Sequence, residues 1–101
     1  MQSSEAELEE IRKRIDEIDD AIADLLSKRM YYANETRNEK LRLKVPIVDE
    51  QRQSEVIEKW RERARRVRRS SEYDLLSEEL MERMAKLIIE YTVKKEMEGQ
   101  Q

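Results

Sequence analysis

The stretch LEEIRKRIDEIDDAIADL, residues 8–25, decides the fold. Its apolar residues Leu8, Ile11, Ile15, Ile18, Ile22 and Leu25 are spaced 3-4-3-4-3. That spacing keeps one stripe of a helix apolar and matches a coiled-coil seam, whereas a strand would need alternation. Upstream, Ser4 with Glu7 three residues later has the form of a capping box and places the helix start there. Downstream nothing breaks the pattern until Pro46, whose ring disfavours helical geometry at Val45 and sets the end near Lys44. The helix is then about 40 residues and roughly 60 Å long. A compact domain of about 100 residues has a radius of gyration of only about 13 Å. One chain cannot wrap such a rod: either a second chain covers the exposed seam, or the helix is a free coiled coil.

Working outward, residues 45–48 (VPIV) form a short connector, and Asp49 is placed to cap a second helix that ends near Arg69. Its apolar face is Val56, Ile57, Trp60, Ala64 and Val67. Ser70 and Ser71 interrupt the pattern. A third helix is predicted from about Tyr73 to Glu98, with Leu76, Leu80, Met84, Leu87, Ile88 and Tyr91 turned inward. One Gly and one Pro leave almost no punctuation for further elements. The fold class is all-α: three helices, one long and two medium, in a single domain covering residues 1–101.

Charged residues make up 45% of the chain and Leu, Ile and Val only 22 positions, with no Phe, which is barely above the level at which disorder sets in. A self-sufficient compact monomer is therefore disfavoured a second time. There is no His and no Cys. That removes the commonest general base, thiol nucleophiles, disulfides, zinc knuckles and iron–sulfur clusters. Arg, Lys, carboxylates, hydroxyls and amides remain, a set suited to binding anions. The start MQSSEAELEE lacks the basic and apolar regions of a secretion signal, and no stretch approaches the roughly 20 apolar residues of a membrane span. A soluble, cytoplasmic protein is expected.

Continuing the heptad past Leu25 places Arg29, Tyr32, Thr36, Glu39 and Leu43 on the seam. Either the seam frays into solvent, with Arg29 snorkelling along its apolar stem, or it opens into a polar cavity for an anion. Arg29 and Lys40 are 11 residues apart; three turns plus about 20° project both to one side, about 16 Å apart. Arg12 precedes Arg29 by 17 residues, about 25 Å along the axis and about 100° around it. It reaches the same site only from another chain; otherwise it belongs to the surface cluster Arg12, Lys13, Arg14, paired with Glu9 and Glu10.

Asp49 is a helix cap or a ligand-facing group, with Arg52 and Gln53 beside it in the first turn of helix 2. An Arg at that end opposes the helix dipole, which suggests an anion or Asp49 as its partner. Thr92 and Glu96, at i and i+4, share a face of helix 3. The run Arg61, Arg63, Arg65, Arg66, Arg68, Arg69 has the charge of a phosphate-binding stripe. A net charge of −3 and the lack of interleaved aromatics oppose that. Cations also favour a helix C-terminus, and nine acids within residues 5–24 stand ready to meet them. No nucleic acid is expected as a partner.

In order along the chain, IRKRIDEIDDAIADLLSKR (11–29), VPIVDEQRQ (45–53) and LIIEYTVKKE (87–96) resemble the all-helical chorismate mutases. The resemblance implies an intertwined helical homodimer in which the long helices pair and each of two sites takes an arginine from the other chain. By it, Arg12 matches the arginine donated across the dimer, and Arg29 and Lys40 match the cations that hold the substrate carboxylates. Lys40 and Glu96 match the catalytic donors to the ether oxygen. Asp49, Arg52 and Gln53 match the group near the substrate hydroxyl, and Thr92 the hydroxyl residue near a carboxylate. Gln53 stands where many members carry Glu; an amide accepts the same hydrogen bond more weakly. The implied substrate is the dianion chorismate, with no cofactor and no metal. Glu96 donates only when protonated, so activity is expected to fall as pH rises. Isochorismate pyruvate lyase shares the fold and a similar cationic pocket and is one alternative; a non-catalytic helical scaffold or nucleic-acid-binding dimer is the other.

Overall fold

The computed structural model describes residues 2–70 and 72–98. They form three helices and no strand: α1 (Gln2–Leu43), α2 (Glu50–Ser70) and α3 (Glu78–Glu98). The chain divides into two compact units, residues 1–35 and residues 36–101.

In the N-terminal unit, α1 begins at Gln2 and Ser4 lies inside it, so the capping box does not mark its start. No Pro or Gly stands ahead of Ser4 to stop the helix running back. The seam residues Leu8, Ile11, Ile15, Ile18, Ile22 and Leu25 are all exposed, at 44–63%. Among the described residues, the stripe that the sequence made apolar stays open to solvent.

The second unit opens with the end of α1. Val45 N–H donates to the Lys40 carbonyl (3.0 Å) and Lys44 N–H to that of Leu41 (3.2 Å), while Lys44 has φ of 58°. This is a Schellman stop with Lys where Gly is usual, and Pro46 follows two residues on. Holding a side chain in the left-handed region costs about 1–2 kcal/mol, which the two bonds and the turn into the connector offset. Asp49 caps α2 as expected, its Oδ1 accepting the Arg52 N–H at 3.0 Å.

Helix α3 starts at Glu78, five residues later than the apolar pattern suggested. Ser77 Oγ accepts the Leu80 N–H at 3.0 Å, and Glu78 and Glu79 fill the first turn. The cap and the acids favour initiation there. Tyr73 and Leu75 lie exposed in the preceding connector; Ser71 falls outside the described residues.

Helices α2 and α3 pack together. The buried apolar residues are Ile47 from the connector, Val56 and Ala64 from α2 and Ala85 from α3. Ala64 and Ala85 are fully buried, and their small side chains let the two backbones approach closely. Leu80, Leu87 and Tyr91, expected inside, are exposed because α2 covers only one side of α3.

Candidate active site

Lys40 occupies the last turn of α1, where the Schellman stop holds its carbonyl. Its ammonium is held as well: Nζ donates to the carbonyl of buried Ile47 at 2.7 Å. The connector thus folds back over the side chain, which is 22% exposed. A long, flexible cation becomes a fixed one.

Across from it stands Glu96, the buried charged side chain among the described residues, at 5% exposure. Its Oε2 lies 3.9 Å from Lys40 Nζ and has no hydrogen-bond partner. At that distance the pair interacts by charge without a hydrogen bond. Burial pushes the Glu96 carboxyl above the usual range; Lys40, and after it Arg37, pull it back only in part. Desolvation wins because charging a carboxyl away from water costs more than one nearby ammonium returns. The result is a carboxyl that holds its proton more firmly than an exposed Glu.

The sequence reading missed Arg37. Its Nε donates to the Glu96 carbonyl at 3.0 Å and its Nη1 to Asn38 Oδ1 at 3.2 Å. One signal was available: Arg37 precedes Lys40 by three residues and so shares its side of α1.

Beside the pair, Lys40, Val45, Pro46, Val48, Asp49 and Glu50 line an open cleft of about 620 Å³, a size that suits a small-molecule ligand. Lys40 belongs to both the cleft and the buried pair. The structure therefore brings Lys40, Glu96 and Asp49 into one neighbourhood. Gln53 is half-buried in the first turn of α2, its N–H donating to the Asp49 carbonyl at 3.0 Å. The Arg52 guanidinium lies 3.7 Å from Glu55, not against Asp49, which answers the helix-dipole cost with an ion pair on the same helix. Thr92 is half-buried one turn before Glu96.

Arg12 and Arg29 lie in the N-terminal unit. Arg12 is exposed and pairs with Glu9 at 2.9 Å, a surface contact of little energetic weight. Arg29 is half-buried.

The arginine run meets nearer acids than those of residues 5–24. Arg65 bonds Glu58, Glu62 and Glu78; Arg61 and Arg68 also face Glu78, and Arg69 reaches Glu62 at 3.3 Å. Arg65, the nearest of these, holds the Glu62 carboxyl below its usual range. Arg61, Arg65 and Arg68 tie the run into the α2–α3 pairing through Glu78.

A helical framework that sets a buried, upward-shifted carboxyl against an ammonium beside an open cleft, in a chain without His or Cys, has the features of a class of helical proteins suited to binding anions through charge and hydrogen bonds. The family is narrower: residues 11–97 match the family described as chorismate mutase type II, and the chain belongs to it. The family's reaction is the isomerisation of chorismate to prephenate, a step of aromatic amino acid biosynthesis. No curated protein and no solved structure shows a significant match to the chain. No described helix is long and apolar enough to cross a membrane.

Proposed function

We propose that two copies of this chain form a cytoplasmic homodimer, each copy acting as a single domain, and convert chorismate to prephenate at sites centred on Lys40 and Glu96. The observation that carries this is the buried pair: a carboxyl disposed to keep its proton, 3.9 Å from an ammonium fixed at a cleft.

The rearrangement is concerted. An ether C–O bond breaks as a C–C bond forms, and no proton is gained or lost overall, so neither base, nucleophile, metal nor cofactor is required. Catalysis reduces to holding a flexible dianion in its chair-like shape and to placing donors where negative charge develops on the ether oxygen. Lys40 supplies a charged donor and Glu96 an O–H. Arg29 and the second copy's Arg12 hold the carboxylates, with Thr92 assisting. Asp49, Arg52 and Gln53 address the substrate hydroxyl. These assignments follow the family resemblance position by position.

The exposed seam supports the homodimer. Six half-exposed Leu and Ile side chains, each returning about 1 kcal/mol when the remaining half is covered, contribute on the order of 5 kcal/mol per chain before association costs. A lyase acting on isochorismate would release pyruvate, and product identification separates the two reactions. The carboxylates already bound to Arg61, Arg65, Arg68 and Arg69 weigh against a nucleic-acid role.

Mixing separately inactive Arg12→Ala and Lys40→Ala chains tests the shared site. In a two-fold dimer, random exchange places one intact site in each mixed dimer and restores about a quarter of wild-type activity. No restoration after verified exchange refutes the donation of Arg12 across chains.

A further inference from the structure

We propose that Arg37 is a positioning residue: by donating to the Glu96 carbonyl, its guanidinium anchors the last turn of α3 against α1 and keeps the Glu96 carboxyl facing Lys40. The proposal rests on the reading of Glu96 as a proton-bearing donor and adds to it a residue that touches neither substrate nor reacting atoms.

The geometry gives Arg37 a specific task. Glu96 lies in the last described turn of α3, two residues before Glu98. Arg37 supplies a donor from another helix at 3.0 Å, across 59 residues of sequence. It is also a cation at a helix C-terminus, where the aligned peptide dipoles favour positive charge. This bond ties the Glu96 backbone to α1 as well as to its own helix. The opposing group is not free to adapt, since Lys40 is tied to the Ile47 carbonyl at 2.7 Å. Alignment of the pair therefore depends on where the end of α3 sits, and Arg37 fixes that position.

The same residue acts on Glu96 by charge. The cations near the Glu96 carboxyl are Lys40 and Arg37, both from α1, and both favour the carboxylate form against burial. Removing Arg37 leaves Lys40 alone and favours the protonated form further. A residue that only stabilised the fold would not move the pH at which activity is lost.

The test compares wild type, Arg37→Gln, Arg37→Lys and Glu96→Gln by kcat and KM for chorismate across pH, with thermal unfolding as a control on folding. Arg37→Gln is expected to lower kcat on the acid plateau about tenfold, within the range for a displaced catalytic group, and to move the alkaline fall to higher pH. Arg37→Lys keeps the charge but not the planar fork, so the alkaline fall should stay in place while kcat drops about threefold. In the Glu96→Gln background, Arg37→Gln should shift no pH limb. An alkaline fall that vanishes in Glu96→Gln but does not move in folded Arg37→Gln overturns the role of Arg37 and leaves Glu96 standing. A wild-type profile without an alkaline fall overturns both. Should Arg37→Gln fail to fold, Arg37→Lys decides: wild-type kcat in that variant overturns the proposal.

Discussion

Replacing Glu96 with Gln isolates the proton on which the proposed chemistry depends. The amide keeps the size of the carboxyl and a donor, but it cannot ionise. In the native chain, attraction between Lys40 and an ionised Glu96 at 3.9 Å is about 4 kcal/mol at an effective dielectric of about 20. Burial nonetheless prevails, since the carboxyl is shifted upward. Once pH exceeds the Glu96 pKa, the protonated fraction falls about tenfold per unit, and kcat should follow it. The fall levels off when the donor is lost altogether, about 10²–10³ below the plateau, the usual cost of removing one preorganised donor to a developing oxyanion. Glu96→Gln should show a flat profile, slower than the wild-type acid plateau by no more than a few-fold and faster than wild type at alkaline pH. The assay is the initial rate of loss of chorismate absorbance at saturating substrate across pH. An alkaline fall of the same size and position in the mutant would refute the reasoning. Stability follows with a definite sign. A folded-state pKa raised above the unfolded one contributes stability fully present below the unfolded pKa and lost as pH rises through the folded pKa. The advantage of Glu96→Gln in thermal unfolding should therefore be absent at acid pH and appear as pH rises through the raised value.

Other outcomes follow from the same structure. Lys44→Gly relieves a left-handed side chain at the end of α1; net of the extra chain entropy of Gly, it should stabilise by about 0.5–1 kcal/mol and raise the melting temperature by several degrees at fixed protein concentration. Ser77→Ala removes the cap of α3 and should cost about 1 kcal/mol by denaturant unfolding, with kcat unchanged in the folded enzyme. Ile15→Glu with Ile18→Glu charges the exposed seam; if the seam pairs two copies as proposed, sedimentation should show dimer replaced by monomer, and activity should be lost with it.

Much of the fold was legible in residues 8–25, because a period of three and four leaves a single face apolar whatever surrounds it. The end of α1 was legible in Pro46, and the start of α2 in Asp49, since both act through local backbone chemistry. The start of α3 was not. Tyr73, Leu75 and Leu76 continue an apolar rhythm through a connector, and Ser77 became recognisable as the cap only once its bond to Leu80 was seen. In the candidate site, Lys40 was singled out by its spacing from Arg29 and Glu96 by its place one turn after Thr92, while their catalytic roles came from the resemblance. The burial of Glu96 and the tether of Lys40 to Ile47 are tertiary facts that no spacing encodes. Arg37 went unnamed in a chain where charges are 45% of residues. The arginine run takes its partners from nearer in sequence than the acids of 5–24: Glu58 and Glu62 on the same helix, and Glu78, which faces the run once α2 and α3 pair.

The most direct test of the central claim is a time course of purified protein with chorismate, with product identification, beside Lys40→Ala. Rapid formation of prephenate by the wild type, reduced at least 10²-fold in folded Lys40→Ala, is the predicted result. Wild-type turnover in that mutant, or no prephenate from the folded native protein, would contradict it.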